Sequence, residues 1–190
     1  MSRKPRLDMD MILNTTAKLV EEKGIDNVTL NNIAENLGVK SPSLYNHING
    51  LADLSIGLAK LAIEKLDDVV RNAAVGKSKK EALIEMANAY RKFSKDSPEL
   101  YKAILKLPIY NEYEIKEKGH AVIRIIYQVL EAYNLSEEDT IHFSRGFRSA
   151  LHGFVSLEEA GFFSAGVDVD ESYNRLVHCF VSILNQKEAK

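Results

Sequence analysis

The stretch from Thr29 to Ile48, TLNNIAENLGVKSPSLYNHI, decides the fold of the chain, because its pattern predicts two short helices joined by a glycine turn. From Leu30 to Leu37 the apolar residues recur at spacings of three and four, which places them on one face of a helix. The Thr29 hydroxyl can accept a backbone N–H at the N-cap. Gly38 can adopt the left-handed conformation that ends a helix at no steric cost. The first helix is therefore predicted between Thr29 and Gly38.

A second helix is predicted from Ser41 onwards, with the serine as N-cap and Pro42 at the first helical position. Leu44 and Ile48, four residues apart, are expected to face inward. The residues expected to point outward are rich in hydrogen-bond donors: Lys40, Ser41, Ser43, Tyr45, Asn46 and His47. Such a face suits phosphates and base edges, and the two helices have the layout of a DNA-binding helix-turn-helix. The same caps would also suit an ordinary helical hairpin.

This segment resembles the N-terminal domain of the tetracycline-repressor (TetR) family. The family motif has a threonine start, an Ile-Ala pair, Gly-Val at the turn and Leu-Tyr-x-His at the end of the recognition helix. The chain matches it, at the family's spacing, with Thr29, Ile33, Ala34, Gly38, Val39, Leu44, Tyr45 and His47. The residues expected to contact DNA in this segment are Thr29, Lys40, Ser41, Pro42, Ser43, Tyr45, Asn46 and His47. The chain departs from the family at Leu51, where many members carry a phosphate-binding lysine.

Length and charge confine any DNA-binding surface to a part of the chain. With 190 residues there is room for a DNA-reading domain and a larger second domain, which we predict at residues 1–50 and 51–190. The formal net charge of −2 excludes a wholly basic nucleic-acid coat protein. A local cationic arm is formed by Arg3, Lys4 and Arg6, which either contact DNA or belong to a solvated tail.

The sequence lacks the residues that several classes of function require. The single cysteine, Cys179, excludes an internal disulfide, fits a reducing cytoplasm and is expected to be buried among apolar neighbours. The five histidines form no His-Glu-x-x-His pair, so no metal or other cofactor is expected. A glycine-rich phosphate loop and a Gly-x-Ser-x-Gly elbow are both missing, so we do not expect an enzyme. With no signal peptide or membrane-length apolar stretch, we predict a soluble, cytoplasmic protein.

The remaining periodicity predicts an all-α fold of about nine helices, with a three-helix DNA-binding domain followed by a helical domain for ligand binding and dimerisation. A first helix at about residues 8–23 would brace the helix-turn-helix. Later helices are predicted at about residues 51–76, 78–93, 99–107 and 121–133, and two more begin near residues 136 and 170.

Two groups of residues are candidates for binding a small molecule. The first is a set of aromatic and apolar residues near the middle of the chain, which are also typical of an ordinary core. The second is Arg148 with His152, which share one helical face with Ser156 and could line a pocket, a dimer seam or a solvated surface. The candidate ligand-binding residues are Tyr90, Phe93, Tyr101, Ile104, Tyr110, Tyr113, Arg148 and His152.

The segment from Arg148 to Phe163 resembles the C-terminal region of a TetR subgroup with a Trp-His-Gly motif, with Leu151 in place of the tryptophan. The resemblance implies that the last two helices pair with those of a second subunit as a four-helix bundle. The apolar stripe of the last helix would otherwise be buried within the monomer. The expected interface residues are Phe147, Leu151, Phe154, Tyr173, Leu176, Phe180 and Leu184.

The resemblance implies a dimeric, ligand-responsive transcription repressor that reads a near-palindromic operator in double-stranded DNA. A small-molecule effector would release it. The alternative is a helical protein-interaction module that no longer binds a specific operator, an idea supported by Leu51 and by the neutral charge balance of the first fifty residues.

Overall fold

A computed structural model describes residues 7–106 and 124–188, with side chains described up to residue 184. The α-helices are α1 (Met9–Lys23), α2 (Leu30–Leu37), α3 (Leu51–Ala74), α4 (Lys79–Asp96), α5 (Pro98–Lys106), α6 (residues 124–131), α7 (Glu137–Glu159) and α8 (Val169–Glu188). Two 3₁₀ helices cover Ile25–Asn27 and Ser41–Asn46. No strand occurs in these described ranges, so the predicted all-α class is confirmed.

The chain divides into two compact units. The first unit comprises residues 1–65 and 97–115, and the second comprises residues 66–96 and 116–190. Their boundary falls inside α3, between Lys65 and Leu66, and α5 belongs to the first unit although α4 belongs to the second. The boundary between Lys65 and Leu66 separates compact units, whereas the predicted division after residue 50 separates two functions. The predicted division stays a prediction.

The first unit has a core built around the helix-turn-helix. Its buried members come from α1, α2, the 3₁₀ helix Ser41–Asn46, the segment that follows this helix and the start of α3, and they are Ile12, Leu19, Ile33, Ala34, Leu44, Ile48 and Leu54. α1 and α3 approach closely at Gly57, where an added Cβ would lie 2.8 Å from Cδ2 of Leu13. The predicted bracing of the helix-turn-helix by α1 follows from this shared apolar core.

The core of the second unit joins α4, α7 and α8. The Nε of Arg91 donates to Glu158 at 2.8 Å, and its Nη2 donates to Asp170 at 2.7 Å, so one α4 side chain links both later helices. Its guanidinium lies 4.7 Å from the ring centroid of Tyr173. The Tyr173 hydroxyl donates to the Ala87 carbonyl, and burial raises the pKa of this tyrosine. The paired carboxylates satisfy a guanidinium that would be costly to bury alone.

The apolar stripe of α8 lies within the protomer. Tyr173, Val177, Val181 and Leu184 are each buried in the single chain, and so are Phe147 and Leu151 of α7. Four of the residues expected at a dimer interface, Phe147, Leu151, Tyr173 and Leu184, are therefore core residues, because a buried side chain has no surface to lose on association. Phe154, Leu176 and Phe180 are half-buried.

Cys179 was expected to be buried, and this expectation is wrong. It is exposed, because it lies on the outer face of α8 between the inward-facing Val177 and Val181.

Candidate nucleic-acid interface

α2 begins with a complete capping box at Thr29. The Thr29 hydroxyl oxygen accepts from the backbone N–H of Asn32 at 3.2 Å, and Oδ1 of Asn32 accepts from the Thr29 N–H at 3.2 Å. The predicted N-cap is therefore confirmed, with asparagine in place of the usual glutamate or glutamine. The Thr29 hydroxyl is engaged in the cap, so the main role of Thr29 is to fix the start of α2.

The turn after α2 depends on Gly38, which has φ 66° and ψ 33°. This is the left-handed conformation predicted for it, and glycine adopts it without the steric cost that a Cβ would add. The N–H of Val39 then donates to the Ala34 carbonyl at 3.0 Å, which closes the end of α2. The turn thus sets the direction in which the chain enters its next helix.

The recognition helix, Ser41–Asn46, is a 3₁₀ helix, and Ser41 is not its N-cap. Lys40 occupies the cap position with extended backbone and makes no side-chain cap bond. The Ser41 hydroxyl instead donates to Oδ1 of Asn31 on α2 at 2.7 Å. The expected cap fails because this hydroxyl bonds to the neighbouring helix rather than to its own, and the bond ties the two helices together.

The recognition helix separates buried from exposed side chains as the spacing predicts. Leu44 and Ile48 are buried in the core of the first unit. The exposed residues are Lys40, Pro42, Tyr45, Asn46 and His47, whereas Ser41 and Ser43 are half-buried. Arg3, Lys4 and Arg6 lie outside the described residues. Hydrogen-bond donors are thus presented on the side of this helix opposite its core, which is the arrangement required for contact with a duplex.

The start of α3 differs from what the family resemblance implies. Asp53 accepts hydrogen bonds from the backbone and side-chain N–H groups of Asn49, at 3.1 and 3.3 Å. Leu51, the first residue of α3, is 53% exposed. This end of the helix therefore carries an acidic cap and an apolar side chain next to the recognition helix. The sequence-based interpretation identified Leu51 but missed the bond between Asn49 and Asp53.

A pair of carboxylates, Glu21 and Glu99, holds α5 against α1 and the 3₁₀ helix Ile25–Asn27, and we call it the carboxylate clasp. Glu21 on α1 accepts from the backbone N–H of Leu100 at 2.8 Å. Glu99 on α5 accepts from the backbone N–H of Ile25 at 2.7 Å. A hydrogen bond from Lys102, followed by the bond from Ile25, lowers the pKa of Glu99. Glu21 thus satisfies an N–H in the first turn of α5, and Glu99 satisfies the first N–H of the 3₁₀ helix that follows α1.

The candidate ligand-binding residues are distributed over both units. Tyr101 and Ile104 lie on α5 in the first unit, whereas Tyr90, Phe93, Arg148 and His152 lie on α4 and α7 in the second unit. Tyr101 and Phe93 are buried core residues. His152 is half-buried, and its pKa is lowered by burial and then by the charge of Arg148. Tyr110 and Tyr113 lie outside the described residues.

A shallow groove of about 290 Å³ in the second unit involves none of these candidates. Its lining residues come from the end of α7, the following loop and the start of α8, and they are Phe154, Phe162, Phe163, Ser164, Ala165, Val167, Val169 and Ser172. Sequence reasoning did not find this groove, because its walls come from a loop without helical periodicity.

Within residues 7–106 and 124–188, no helix is long and apolar enough to cross a membrane. The same residues bring together no group of three or more histidine, cysteine, aspartate or glutamate side chains that could hold a metal ion.

Comparison with known protein families gives two matches, which together span more than half of the chain. Residues 12–48 match the family described as bacterial regulatory proteins, tetR family. Residues 83–180 match the family described as tetracyclin repressor-like, C-terminal domain. The two matches correspond to the N-terminal and C-terminal resemblances found in the sequence. Neither singles out the Trp-His-Gly subgroup, which stays a prediction.

Individual proteins agree with these matches. The chain is 31% identical over 179 residues to an uncharacterized HTH-type transcriptional regulator of Mycobacterium tuberculosis, covering 93% of this chain and 81% of the relative. It is also 31% identical over 189 residues to the uncharacterized HTH-type transcriptional regulator YobS of Bacillus subtilis, covering 98% of each. Among solved structures, a TetR variant from Acinetobacter baumannii in complex with minocycline has a TM-score of 0.72 at 17% identity, covering 97% of this chain and 100% of that one.

Proposed function

Because the chain belongs to the TetR family of transcriptional regulators, we propose that it is a repressor that binds a near-palindromic operator as a homodimer and is released by a small-molecule effector. The observation that carries this proposal is the recognition helix. Tyr45, Asn46 and His47 are exposed there, while Leu44 and Ile48 anchor the helix in the core. A rigid helix with outward donors is suited to enter a major groove.

Apolar surface on the second unit supports the homodimer. Leu157 on α7 and Ile183 on α8 are exposed, and the loop between these helices exposes Phe162, Phe163 and Val167. Large exposed apolar side chains on one part of a molecule mark an interaction surface. Two recognition helices related by twofold symmetry would read half-sites about 34–36 Å apart, which is one turn of the duplex.

Release by an effector requires that the effector bind the DNA-competent and DNA-incompetent states with different affinity. The relative bound to minocycline shows that a protein of this fold can hold a small molecule. We propose that the second unit of this chain binds the effector and that α3, which spans both units, carries the signal to the recognition helix.

Selection of bound duplexes from a random DNA pool tests the proposal. Recovery of one palindromic sequence supports a dimeric operator-binding regulator, because only twofold symmetry produces matched half-sites. The alternative, an interaction module, predicts no enriched sequence and no salt-dependent retention on duplex DNA. The exposed Leu51 at the start of α3 is the observation that favours the alternative.

A further inference from the structure

The 3₁₀ geometry of the recognition helix determines which of its side chains share a face. The N–H of Ser43 donates to the Lys40 carbonyl at 2.8 Å, across three residues. The N–H of His47 donates to the Leu44 carbonyl at 2.9 Å, across the same separation. Side chains three residues apart eclipse one another in such a helix, whereas residues six apart in an α-helix diverge by about 120° around the axis. Lys40, Ser43 and Asn46 therefore form one row along the helix, which we call the polar row.

The inner face of the same helix holds the polar row on the outside. Leu44 is buried in the core of the first unit. Ser41, three residues before it, is hydrogen-bonded to Asn31 on α2. The helix is thus held at two points, and the two ends of the polar row, Lys40 and Asn46, are exposed. Asn46 is therefore presented to a duplex on the same side as Lys40.

Asn46 differs from the other asparagines of the first unit in the state of its side-chain amide. The other described asparagines of this unit each form a side-chain hydrogen bond within the chain, and they are Asn14, Asn27, Asn31, Asn32, Asn36 and Asn49. The amide of Asn46 forms none with any residue that the structure describes. Both its donor and its acceptor can therefore bind a ligand without breaking a contact of the protein.

We propose that Asn46 reads an adenine in each half-site of the operator, with its Nδ2 donating to N7 and its Oδ1 accepting from the N6 amino group. This inference rests on the proposed function, since it assigns a base to one residue of the recognition helix. An amide carries a donor and an acceptor, and the major-groove edge of adenine carries the complementary pair. Guanine presents two acceptors there and a phosphate only accepts, so either partner would leave Oδ1 of Asn46 without a donor.

The rise of the helix sets the distance between this adenine and the base contacted by Lys40. A 3₁₀ helix rises about 2.0 Å per residue, so the two ends of the polar row lie about 12 Å apart. Successive base pairs are about 3.4 Å apart along the duplex, so this distance corresponds to about three to four base pairs. The positions read by Lys40 and Asn46 are therefore expected within one half-site.

The test measures binding to the operator that the wild type selects and to its single-base variants. The wild type is expected to prefer adenine at one position of each half-site. Asn46→Ala is expected to lose this preference and to bind the selected operator at least about tenfold more weakly, because a bidentate base contact is lost. Replacing that adenine by 7-deazaadenine removes the N7 acceptor and keeps the base pair. This replacement should weaken binding by the wild type and leave binding by Asn46→Ala unchanged.

Asn36→Ala is the matched control, because it removes an exposed asparagine whose amide already donates to the Asn32 carbonyl. It is expected to keep the adenine preference. The proposal is overturned if Asn46→Ala keeps this preference, or if it binds every operator variant more weakly by the same factor. It is also overturned if 7-deazaadenine leaves binding by the wild type unchanged, a result that does not depend on how the variant folds. In each of these cases a palindrome selected by the wild type still supports the proposed function, whereas selection of no sequence contradicts both.

Discussion

At the scale of single residues, the recognition helix separates two roles within a few positions. Leu44 and Ile48 are buried and maintain the fold, whereas Tyr45 and His47 are exposed and have no structural task in the core. Substitutions at the exposed positions are therefore expected to change DNA binding while leaving the free energy of unfolding within about 0.5 kcal/mol of the wild type.

Tyr45→Ala and His47→Ala are each expected to weaken binding to the selected operator without lowering the Tm. If each side chain contacts a phosphate, the loss applies to all sequences, and the slope of log K against log salt falls by about one. Titrations at several salt concentrations measure this slope. Asn36→Ala, an exposed change on α2, is the control that should leave it unchanged. Wild-type affinity of both variants at every salt concentration would remove this face from the interface.

Lys40 is expected to read a base rather than a phosphate, because it is exposed directly before the recognition helix. A lysine can donate to the O6 and N7 acceptors of guanine. Lys40→Ala should then change the preferred base at one operator position, at a cost of about 1–3 kcal/mol. Binding to all single-base variants of the operator measures this preference. An equal loss on every variant would identify Lys40 as a phosphate contact instead.

At the scale of helices, the carboxylate clasp joins α1 and α5 through groups that neither helix could satisfy alone. Glu21 and Glu99 accept from backbone N–H groups at 2.8 and 2.7 Å, in the short segments where helical N–H groups have no intrahelical partner. The clasp thus holds α5 against α1. Residues of α1 in turn pack in the same core as Leu44 of the recognition helix.

Glu99→Gln is expected to lower the free energy of unfolding by about 1–3 kcal/mol at neutral pH, because a charged acceptor is lost. The pKa of Glu99 is lowered in the folded state, so its contribution is present above the ordinary glutamate pKa. That contribution disappears as the pH falls through the lowered pKa. Urea unfolding at neutral pH and at about pH 3 should therefore show the difference between wild type and variant shrinking with acid. Glu22→Gln, an exposed change on α1, should show no such difference.

At the scale of the whole molecule, the second unit keeps its apolar stripe inside the protomer and still exposes other apolar groups. Phe180 packs against Phe147 with ring centroids 5.8 Å apart, and it lies 3.3 Å from the position of an added Cβ at Gly146. A charge at Phe180 would therefore damage the protomer itself. Ile183, which is 45% exposed on the same helix, tests association without that damage.

Ile183→Glu is expected to weaken the proposed homodimer while preserving the helical circular dichroism signal and the Tm of the monomer. Burying an unpaired carboxylate in an interface costs several kcal/mol, at least about a hundredfold in the dissociation constant. Light scattering over a range of protein concentrations measures the shift. Asn88→Glu, an exposed change on α4, should leave the dimer intact. A wild-type monomer at micromolar concentration, or an unchanged Ile183→Glu dimer, would contradict the assignment.

The sequence by itself determined the features that depend on interactions between near neighbours. The cap at Thr29 and the left-handed turn at Gly38 follow from contacts within a few residues along the chain, and the spacing of Leu44 and Ile48 is enough to place both on one face. Such contacts form whenever the local segment is helical, so residue type and spacing are sufficient to predict them. The all-α fold and the helix-turn-helix were predictable for the same reason.

Only the tertiary structure decided which surfaces meet across long separations in the chain. Glu99 bonds to Ile25, 74 residues away, and Ser41 bonds to a side chain on α2 instead of capping its own helix. Tyr173 and Leu184 have the spacing of an interface stripe, yet they pack inside the protomer. A periodic apolar face in the sequence predicts only that the face is buried. It does not predict what covers it, because burial against a partner chain and burial against the chain's own helices are equally favourable for the same apolar area.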